Sequence, residues 1–372
     1  MLLVFFKTPL MDTFHWDPAL LALAFSINMG IIPIPMIIGG KMIDQGKGKL
    51  AIILGGIIFS VGFILSGFVQ TLPMLLFTYG LIAGFGSGLA FTGNLNNIMK
   101  FFPDKRALAS GIVLSGVGVG TLLCTQIAKV FLENMSISSS LLWLGVIYLC
   151  VLFVTQFFIR SAPAKKDNVL EKSDLDLTWQ EMLKTGRFWM LFVILAAGCF
   201  AGTVINATSA QIGKQQFGLG SAALVVGLIS VFNSVGRICW GYIADKIGNY
   251  KTLIAVYFIM ILLMFSLSIG KSVNVFYICA VGIGFTYAGV LTVFPSLTSK
   301  NFGLLNQGMN YGFMYIGFGI GAVTAPYITS FIGRETQSFN MAFYLSILLL
   351  LIGIVLIPFV NKANAKVLKG EK

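Results

Sequence analysis

The sequence is poor in charged residues and in the side chains from which most enzyme sites are built. Only 10% of its 372 residues are charged, whereas a soluble globular domain has about 25%. His15 is the single histidine, and the five cysteines lie in apolar stretches without a Cys-x-x-Cys pair. These features exclude a soluble domain, a metal cluster and a Ser-His-Asp site. We expect no enzyme activity, no cofactor and no metal.

Hydrophobic residues, by contrast, make up 57% of the chain, and the mean hydropathy is +0.91. Crossing a bilayer takes a helix of about 20 apolar residues. Runs of this kind occur near 18–39, 51–70, 73–97, 107–130, 139–159, 188–210, 221–243, 251–270, 274–297, 308–331 and 340–361. Because a bilayer cannot satisfy open backbone groups, each run is expected to be a helix. The predicted fold class is an all-α polytopic membrane protein with about 11 transmembrane helices.

The positions of the cations indicate how these helices cross the membrane. A net charge of +12 would favour a nucleic-acid partner in a soluble protein. Here nineteen Lys and Arg residues fall in alternate connections, and only five fall in the others. Cytoplasmic loops carry the excess of cations, so we place the first set, with the linker and the C-terminus, in the cytoplasm. We expect a monomer in the lipid bilayer of the cell membrane, with residues 1–17 outside and no nucleic-acid partner.

The two halves of the chain are similar to each other at an offset of 201 residues. The offset superimposes Gly40 on Gly241, Asp44 on Asp245, and the glycines at 116, 118 and 120 on those at 317, 319 and 321. Repeats in the same orientation are typical of secondary transporters. The predicted domains are an N-terminal helix bundle at 1–159, a cytoplasmic linker at 160–186 and a C-terminal helix bundle at 187–372.

The first half is shorter than the second by about one helix. From residue 187 to Asp245 the second half has 59 residues and two predicted helices, whereas the first half has 44 residues and one predicted helix up to Asp44. We therefore expect helix 1 to be largely missing, with the initial residues MLLVFF as its end. A native protein of eleven helices is the alternative.

Arg237 is a cation inside an apolar segment. It lies eight residues before Asp245, which is about 12 Å along a helix and near the middle of a hydrocarbon core about 30 Å thick. A guanidinium there costs several kcal/mol unless it meets an anion or water, and no Asp or Glu lies in a predicted helix core. A substrate carboxylate fits, because a guanidinium can hold it with two parallel hydrogen bonds. Alternatively, Arg237 snorkels to the cytoplasmic face or pairs with Asp245 or Asp44.

Other polar residues within the predicted helices could line the same cavity. The candidates for substrate binding are Asn233, Tyr287 and Gln126, and a helix–helix hydrogen bond is the alternative for each. The glycine runs lack the strand and the acidic residue of a dinucleotide fingerprint. We interpret them as close helix contacts at which the two bundles rock.

Two loop motifs resemble the signature of the major facilitator superfamily. One is Gly241-Tyr-Ile-Ala-Asp245-Lys246-Ile-Gly248, and the first-half copy keeps the glycine and the acid but has Gln45 at the following cation. The resemblance implies a fold of two six-helix bundles. It also implies a gating role on the cytoplasmic side for Gly40, Asp44, Gly241, Asp245, Lys246 and Gly248.

Within that superfamily, the chain resembles the oxalate:formate antiporter and monocarboxylate transporter families. The motifs that carry the resemblance are Phe102-Pro103-Asp104-Lys105-Arg106, Ala109-Ser110-Gly111, Thr178-Trp179-Gln-Glu181-Met182 and Phe232-Asn233-Ser-Val-Gly236-Arg237. The resemblance implies that Arg237 binds the substrate carboxylate. Oxalate-type members also have a lysine where Phe318 stands here, so a single buried cation favours a monoanion.

The expected function is secondary active transport of a small organic anion, a monocarboxylate in the first place, by alternating access. A transporter-derived sensor or an inactive truncated remnant is the alternative. Efflux of a neutral or cationic drug would need an intramembrane acid, and proton-coupled carriers usually use one as well. No Asp or Glu lies in a predicted helix core. Exchange, uniport or a proton carried by the substrate therefore fits better, unless the missing helix 1 holds the acid.

Overall fold

The computed structural model of the protein describes residues 2–14, 16, 18–162 and 176–368. His15 and residues 163–175 of the predicted linker lie outside this range. The described residues form helices joined by short connections, with no strand among them. The chain divides into two compact units: unit 1 contains Met1–Asn97 and Val119–Val169, and unit 2 contains Ile98–Gly118 and Leu170–Lys372. The predicted bundle and linker boundaries stay a prediction.

Unit 1 is built from short and long helices of the first half of the chain. In order they are α1 (Leu2–Phe14), α2 (Pro18–Ile31), α3 (Pro33–Asp44), α4 (Gly48–Ser66), α5 (Leu72–Leu75), a π-helix (Leu76–Ala83), α6 (Gly84–Phe101), α7 (Arg106–Asn134) and α8 (Ile137–Thr155). The end of α6 and the first half of α7, up to Gly118, belong to unit 2.

Unit 2 contains the remaining helices. They are α9 (Trp179–Leu183), α10 (Gly186–Phe217), α11 (Ala223–Ile247), α12 (Asn249–Ile269), α13 (Val273–Phe302), α14 (Gln307–Thr336) and α15 (Asn340–Leu368). Among the described residues, eleven helical segments are long and apolar enough to cross a membrane. The predicted number of spanning segments is therefore confirmed.

The first spanning segment differs from its prediction in detail. The sequence indicates one helix over 18–39, whereas the structure has α2 and α3, separated at Ile32. Pro33 explains the break, because proline has no N–H to donate and its ring clashes with the preceding turn. The third predicted segment, 73–97, contains the π-helix Leu76–Ala83, which no residue pattern indicated.

The residues at the start of the chain pack into the core of unit 1. Phe6 and Leu10 of α1 are buried in a cluster that also contains Phe63 and Tyr79. The rings of Phe63 and Tyr79 meet edge to face with their centroids 5.6 Å apart. The helix continues to Phe14, which is past the point where the sequence predicted an end.

Polar contacts stabilise the end of unit 2 that carries Asp245 and Gly248, which we call the loop end. Asp176 accepts hydrogen bonds from the backbone N–H groups of Leu304 and Leu305 at 2.9 and 3.1 Å. Arg187, at the start of α10, donates to the side-chain oxygen of Asn364 on α15 at 2.9 Å. The first two bonds hold the segment before α9 against the connection between α13 and α14, and the third joins α10 to α15.

Candidate functional site

The first half of α7 packs closely against α11 within unit 2. Residues 107–118 of α7 lie against residues 234–245 of α11, and we call this contact the α7–α11 interface. A Cβ atom on Gly241 would lie 2.6 Å from the carbonyl oxygen of Ala107, and a Cβ on Gly111 would collide with the carbonyl oxygen of Arg237. Glycine is needed at these two positions because the two backbones approach too closely for a side chain.

Asp245 binds the start of α7. Its two carboxylate oxygens accept hydrogen bonds from the backbone N–H groups of Ala107 and Leu108, at 3.1 and 2.8 Å. The first N–H groups of a helix have no partner within the helix, and its N-terminus carries partial positive charge. An acidic residue at position 245 therefore satisfies two backbone donors and stabilises the contact electrostatically.

The other motif residues are placed by local geometry. Gly248 has a φ of 92°, a conformation that side-chain-bearing residues rarely adopt, and it joins α11 to α12. The Lys246 ammonium lies 4.5 Å from the centroid of the Tyr242 ring, as expected for a cation–π contact. In unit 1, Gly40 is buried and Asp44 ends α3. The gating role of the motif residues stays a prediction.

Arg237 lies within the α7–α11 interface. One of its terminal N–H groups donates to the carbonyl oxygen of Leu114 on α7. Its Nε atom is buried and has no hydrogen-bond partner. Among the described residues no carboxylate pairs with Arg237, and the ionisable side chains in its neighbourhood are the phenols of Tyr287 and Tyr315. Pairing with Asp245 is not observed, because that carboxylate binds Ala107 and Leu108.

Two tyrosines from neighbouring helices complete the surroundings of Arg237. Tyr287 of α13 and Tyr315 of α14 are both buried. The Tyr287 ring packs directly over Gly202 of α10. A side chain at position 202 would leave no room for the ring. The Tyr315 ring stacks on Phe318 with the centroids 4.5 Å apart. Arg237 is thus close to two phenol groups and to no described acidic group.

The other candidates from the sequence are in different surroundings. The side chain of Asn233 donates to the carbonyl oxygen of Gly284 on α13 at 2.8 Å, so here it connects two helices. Gln126 is exposed on the half of α7 that belongs to unit 1. Their role in substrate binding stays a prediction. Tyr315 was missed, although its spacing of four residues from Tyr311 places both on one face of a helix.

Comparisons with known proteins agree with this architecture. The family model described as Major Facilitator Superfamily matches residues 1–305. The chain is 30% identical over 371 residues to the oxalate:formate antiporter of Oxalobacter formigenes, covering 95% of this chain and 85% of that protein. It is 25% identical over 363 residues to monocarboxylate transporter 12 of Mus musculus, covering 87% of this chain and 74% of that protein.

A solved structure shows the same fold. The crystal structure of FucP, a Major Facilitator Superfamily transporter in the outward conformation, has a TM-score of 0.74 at 16% identity and covers 96% of this chain and 94% of that one. Together with the eleven apolar helices, these matches define a membrane transport protein and not an enzyme. The chain belongs to the Major Facilitator Superfamily, which confirms the predicted fold class and resemblance.

Proposed function

We propose that the protein is a secondary active transporter of a small organic anion, a monocarboxylate, with Arg237 as the group that binds the carboxylate. One observation carries the proposal: Arg237 lies in an apolar helix with an unused Nε donor and no described carboxylate partner. A guanidinium in such a place costs several kcal/mol unless an anion or water compensates it. A bound carboxylate compensates the charge of Arg237 and accepts hydrogen bonds from two N–H groups of its guanidinium.

The residues around Arg237 favour an anion with a single charge. The hydroxyl groups of Tyr287 and Tyr315 can donate to a carboxylate oxygen that the guanidinium leaves free. Phe318, which stacks on Tyr315, is apolar and adds no second cation. One buried positive charge neutralises one negative charge, so a dianion would keep an uncompensated charge in an apolar site.

Two of the relatives are named for organic anions. One is the oxalate:formate antiporter and the other is a monocarboxylate transporter. Their names support a small carboxylate as the substrate class, and the single cation of the site favours a monocarboxylate over a dicarboxylate.

The distribution of cations supports an orientation in the cell membrane. Nineteen of the Lys and Arg residues fall in alternate connections, so the loop end, the linker at 160–186 and the C-terminus are cytoplasmic in this proposal. The motif residues Gly40, Asp44, Gly241, Asp245, Lys246 and Gly248 then hold helices together on the cytoplasmic side during alternating access. The protein works as a monomer.

Uptake into liposomes tests the proposed function. Purified protein is reconstituted with unlabelled lactate, pyruvate or formate inside, and exchange against the same labelled anion outside is measured. We expect at least one monocarboxylate to exchange faster than in protein-free liposomes, and labelled oxalate to exchange more slowly than that monocarboxylate. Exchange of labelled fucose but of no carboxylate would contradict the proposal.

Phe318→Lys is expected to shift selectivity from the monocarboxylate towards oxalate. The substitution places a second cation beside Tyr315, so a dianion gains an interaction that a monoanion does not use. We expect the ratio of oxalate to monocarboxylate uptake to rise about tenfold, which corresponds to 1.4 kcal/mol. Phe331→Lys, at an exposed phenylalanine of the same helix, is the matched control and should leave the ratio unchanged.

A further inference from the structure

The residues between the linker and α10 form a short strap across the start of α14. The strap, residues 176–183, contains α9 and the motif Thr178-Trp179-Gln-Glu181-Met182, which the proposed transport site does not use. Thr178 and Glu181 cap α9 reciprocally. The Thr178 hydroxyl accepts a hydrogen bond from the Glu181 N–H, and the Glu181 carboxylate accepts one from the Thr178 N–H at 2.8 Å. Because such a capping box satisfies two free backbone donors, the strap has a defined conformation of its own.

Hydrogen bonds hold the strap to the start of α14. Asp176 accepts two backbone N–H groups of the α13–α14 connection. The carbonyl oxygen of Leu177 accepts from the side-chain amides of Asn306 and Asn310, at 3.2 and 3.0 Å. Asn310 is fully buried, and burying an amide is costly unless it has a hydrogen-bond partner. The strap provides such a partner for a buried side chain of α14.

The strap also connects α14 to α10. The Trp179 ring lies flat on the ring of Phe313 of α14, with the centroids 4.9 Å apart and an angle of 9° between the planes. At the other end of the strap, the indole N–H of Trp189 on α10 donates to the carbonyl oxygen of Leu183 at 3.0 Å. A displacement of the start of α14 away from α10 would therefore break contacts of the strap.

One side of α14 lies against the strap and then against α10. A Cβ on Gly317 would lie 3.1 Å from the carbonyl oxygen of Phe192, and one on Gly321 would lie 2.6 Å from that of Ala196. Both acceptors belong to α10, so the two helix backbones are close there. Successive residues of an α-helix are about 100° apart around its axis. The contacts with the strap and with α10 therefore form a single stripe, which consists of Asn306, Asn310, Phe313, Gly317 and Gly321.

Tyr315 belongs to a different stripe of α14. It follows Asn310 by five residues, which is about 140° around the helix and about 7.5 Å along it. Tyr311 and Phe318 share its stripe, at spacings of four and three residues. The strap and α10 thus hold one side of α14, while Tyr315 on the other side lies near Arg237. The position of Tyr315 depends on the rotation and the height of α14, both of which the strap restricts.

We propose that the strap positions Tyr315 beside Arg237 and thereby sets how tightly the transport site holds its anion. The inference rests on the proposed function, since the position of Tyr315 affects affinity if Arg237 binds the substrate. Trp179 is a positioning residue. Without its ring on Phe313, the start of α14 can rotate or shift, and Tyr315 occupies its place beside Arg237 for part of the time. The apparent affinity then falls in proportion to that fraction, while every group that contacts the anion is still present.

Trp179→Ala is expected to raise the KM of anion exchange about fivefold and to keep the maximal rate within about twofold of wild type. The measurement is exchange in proteoliposomes over a range of concentrations, with whichever of labelled formate, pyruvate and lactate the wild type exchanges fastest. Trp179→Phe keeps an aromatic ring for Phe313 and should retain the wild-type KM. Trp143→Ala, at an exposed tryptophan of α8, is the matched control and should also retain it. The unfolding midpoint of each variant shows whether it is folded.

A double substitution tests whether the strap acts through Tyr315. Tyr315→Phe removes a hydroxyl that can donate to the anion, so we expect it to raise the KM about tenfold. Adding Trp179→Ala to Tyr315→Phe should then change the KM by less than about twofold, because the group that the strap positions is already lost. A merely structural role of the strap would instead raise the KM by the same factor in both backgrounds.

The outcomes separate this inference from the proposed function. A wild-type KM in folded Trp179→Ala, or an equal effect of Trp179→Ala with and without the Tyr315 hydroxyl, overturns the inference. The proposed function stands in either case if Arg237→Gln abolishes exchange. Wild-type protein that exchanges none of the three carboxylates overturns the proposed function, and the inference falls with it.

Discussion

Arg237→Gln is expected to lower uptake of the transported monocarboxylate at least about 100-fold at low substrate concentration. A hydrogen bond to a charged group contributes about 1.5–3 kcal/mol, a guanidinium can make two to one carboxylate, and 1.4 kcal/mol is a factor of ten in affinity. Glutamine keeps polarity and much of the length but has no charge. The measurement is the initial rate of labelled uptake into proteoliposomes that contain equal amounts of protein.

Two further variants make the result specific. Arg334→Gln removes an exposed arginine near the end of α14 and should transport as the wild type does. Arg237→Lys keeps the charge without the planar pair of donors, so we expect a rate between those of wild type and Arg237→Gln. Because Arg237 also binds Leu114, the unfolding midpoint of each variant is measured as well. Wild-type uptake by folded Arg237→Gln protein would show that the guanidinium does not bind the substrate.

Gly111→Ala is expected to destabilise the protein and to reduce transport, whereas Gly116→Ala is not. A Cβ on Gly111 would collide with the carbonyl oxygen of Arg237 and come within 3.1 Å of a methyl carbon of Thr292. The backbone cannot rotate out of the way, so α7 must move off α11, and overpacking of this kind costs about 1–3 kcal/mol. The movement also takes the Leu114 carbonyl away from Arg237.

Gly116 provides the matched control for Gly111. A Cβ there would have no atom within 4 Å, and alanine favours a helix over glycine by about 1 kcal/mol. We therefore expect the unfolding midpoint of Gly116→Ala to equal or exceed that of wild type, while that of Gly111→Ala falls. Thermal unfolding in detergent and uptake in proteoliposomes check both variants. Equal midpoints for the two variants would contradict the close contact at Gly111.

The number of spanning helices could be predicted because it depends on composition over about 20 residues. Arg237 could be singled out from the sequence for a related reason, since a single cation stands out in an apolar segment wherever the ends of that segment are placed. The contact between Asp245 and the start of α7 could not be predicted, because the two sites are more than a hundred residues apart in the chain and only tertiary packing brings them together. The π-helix over Leu76–Ala83 was missed for a different reason, because no residue pattern distinguishes a π-helix from an α-helix within an apolar segment.

The surroundings of Arg237 were predictable only in part. Tyr287 was found as a polar residue within an apolar run, and the structure places it beside Arg237. Tyr315 was not found, because its proximity to Arg237 depends on how α14 packs in unit 2. The glycines at 116 and 118 look alike in sequence, yet a Cβ on Gly118 would collide with the Ser234 hydroxyl while one on Gly116 would meet open space. Spacing alone does not distinguish a contact glycine from a free one.

The hydrogen bonds between α11 and α13 have a consequence for how tightly an anion can be held. The Asn233 side chain donates to the Gly284 carbonyl at 2.8 Å, and the Trp240 indole N–H donates to the Phe285 carbonyl at 3.1 Å. The two bonds flank Arg237 along α11 and reach α13 just before Tyr287. Arg237 and Tyr287 are therefore preorganised: little conformational entropy is lost in bringing them together when a ligand binds. In the proposed site, Asn233 would therefore act by holding α11 against α13 and not by contacting the anion.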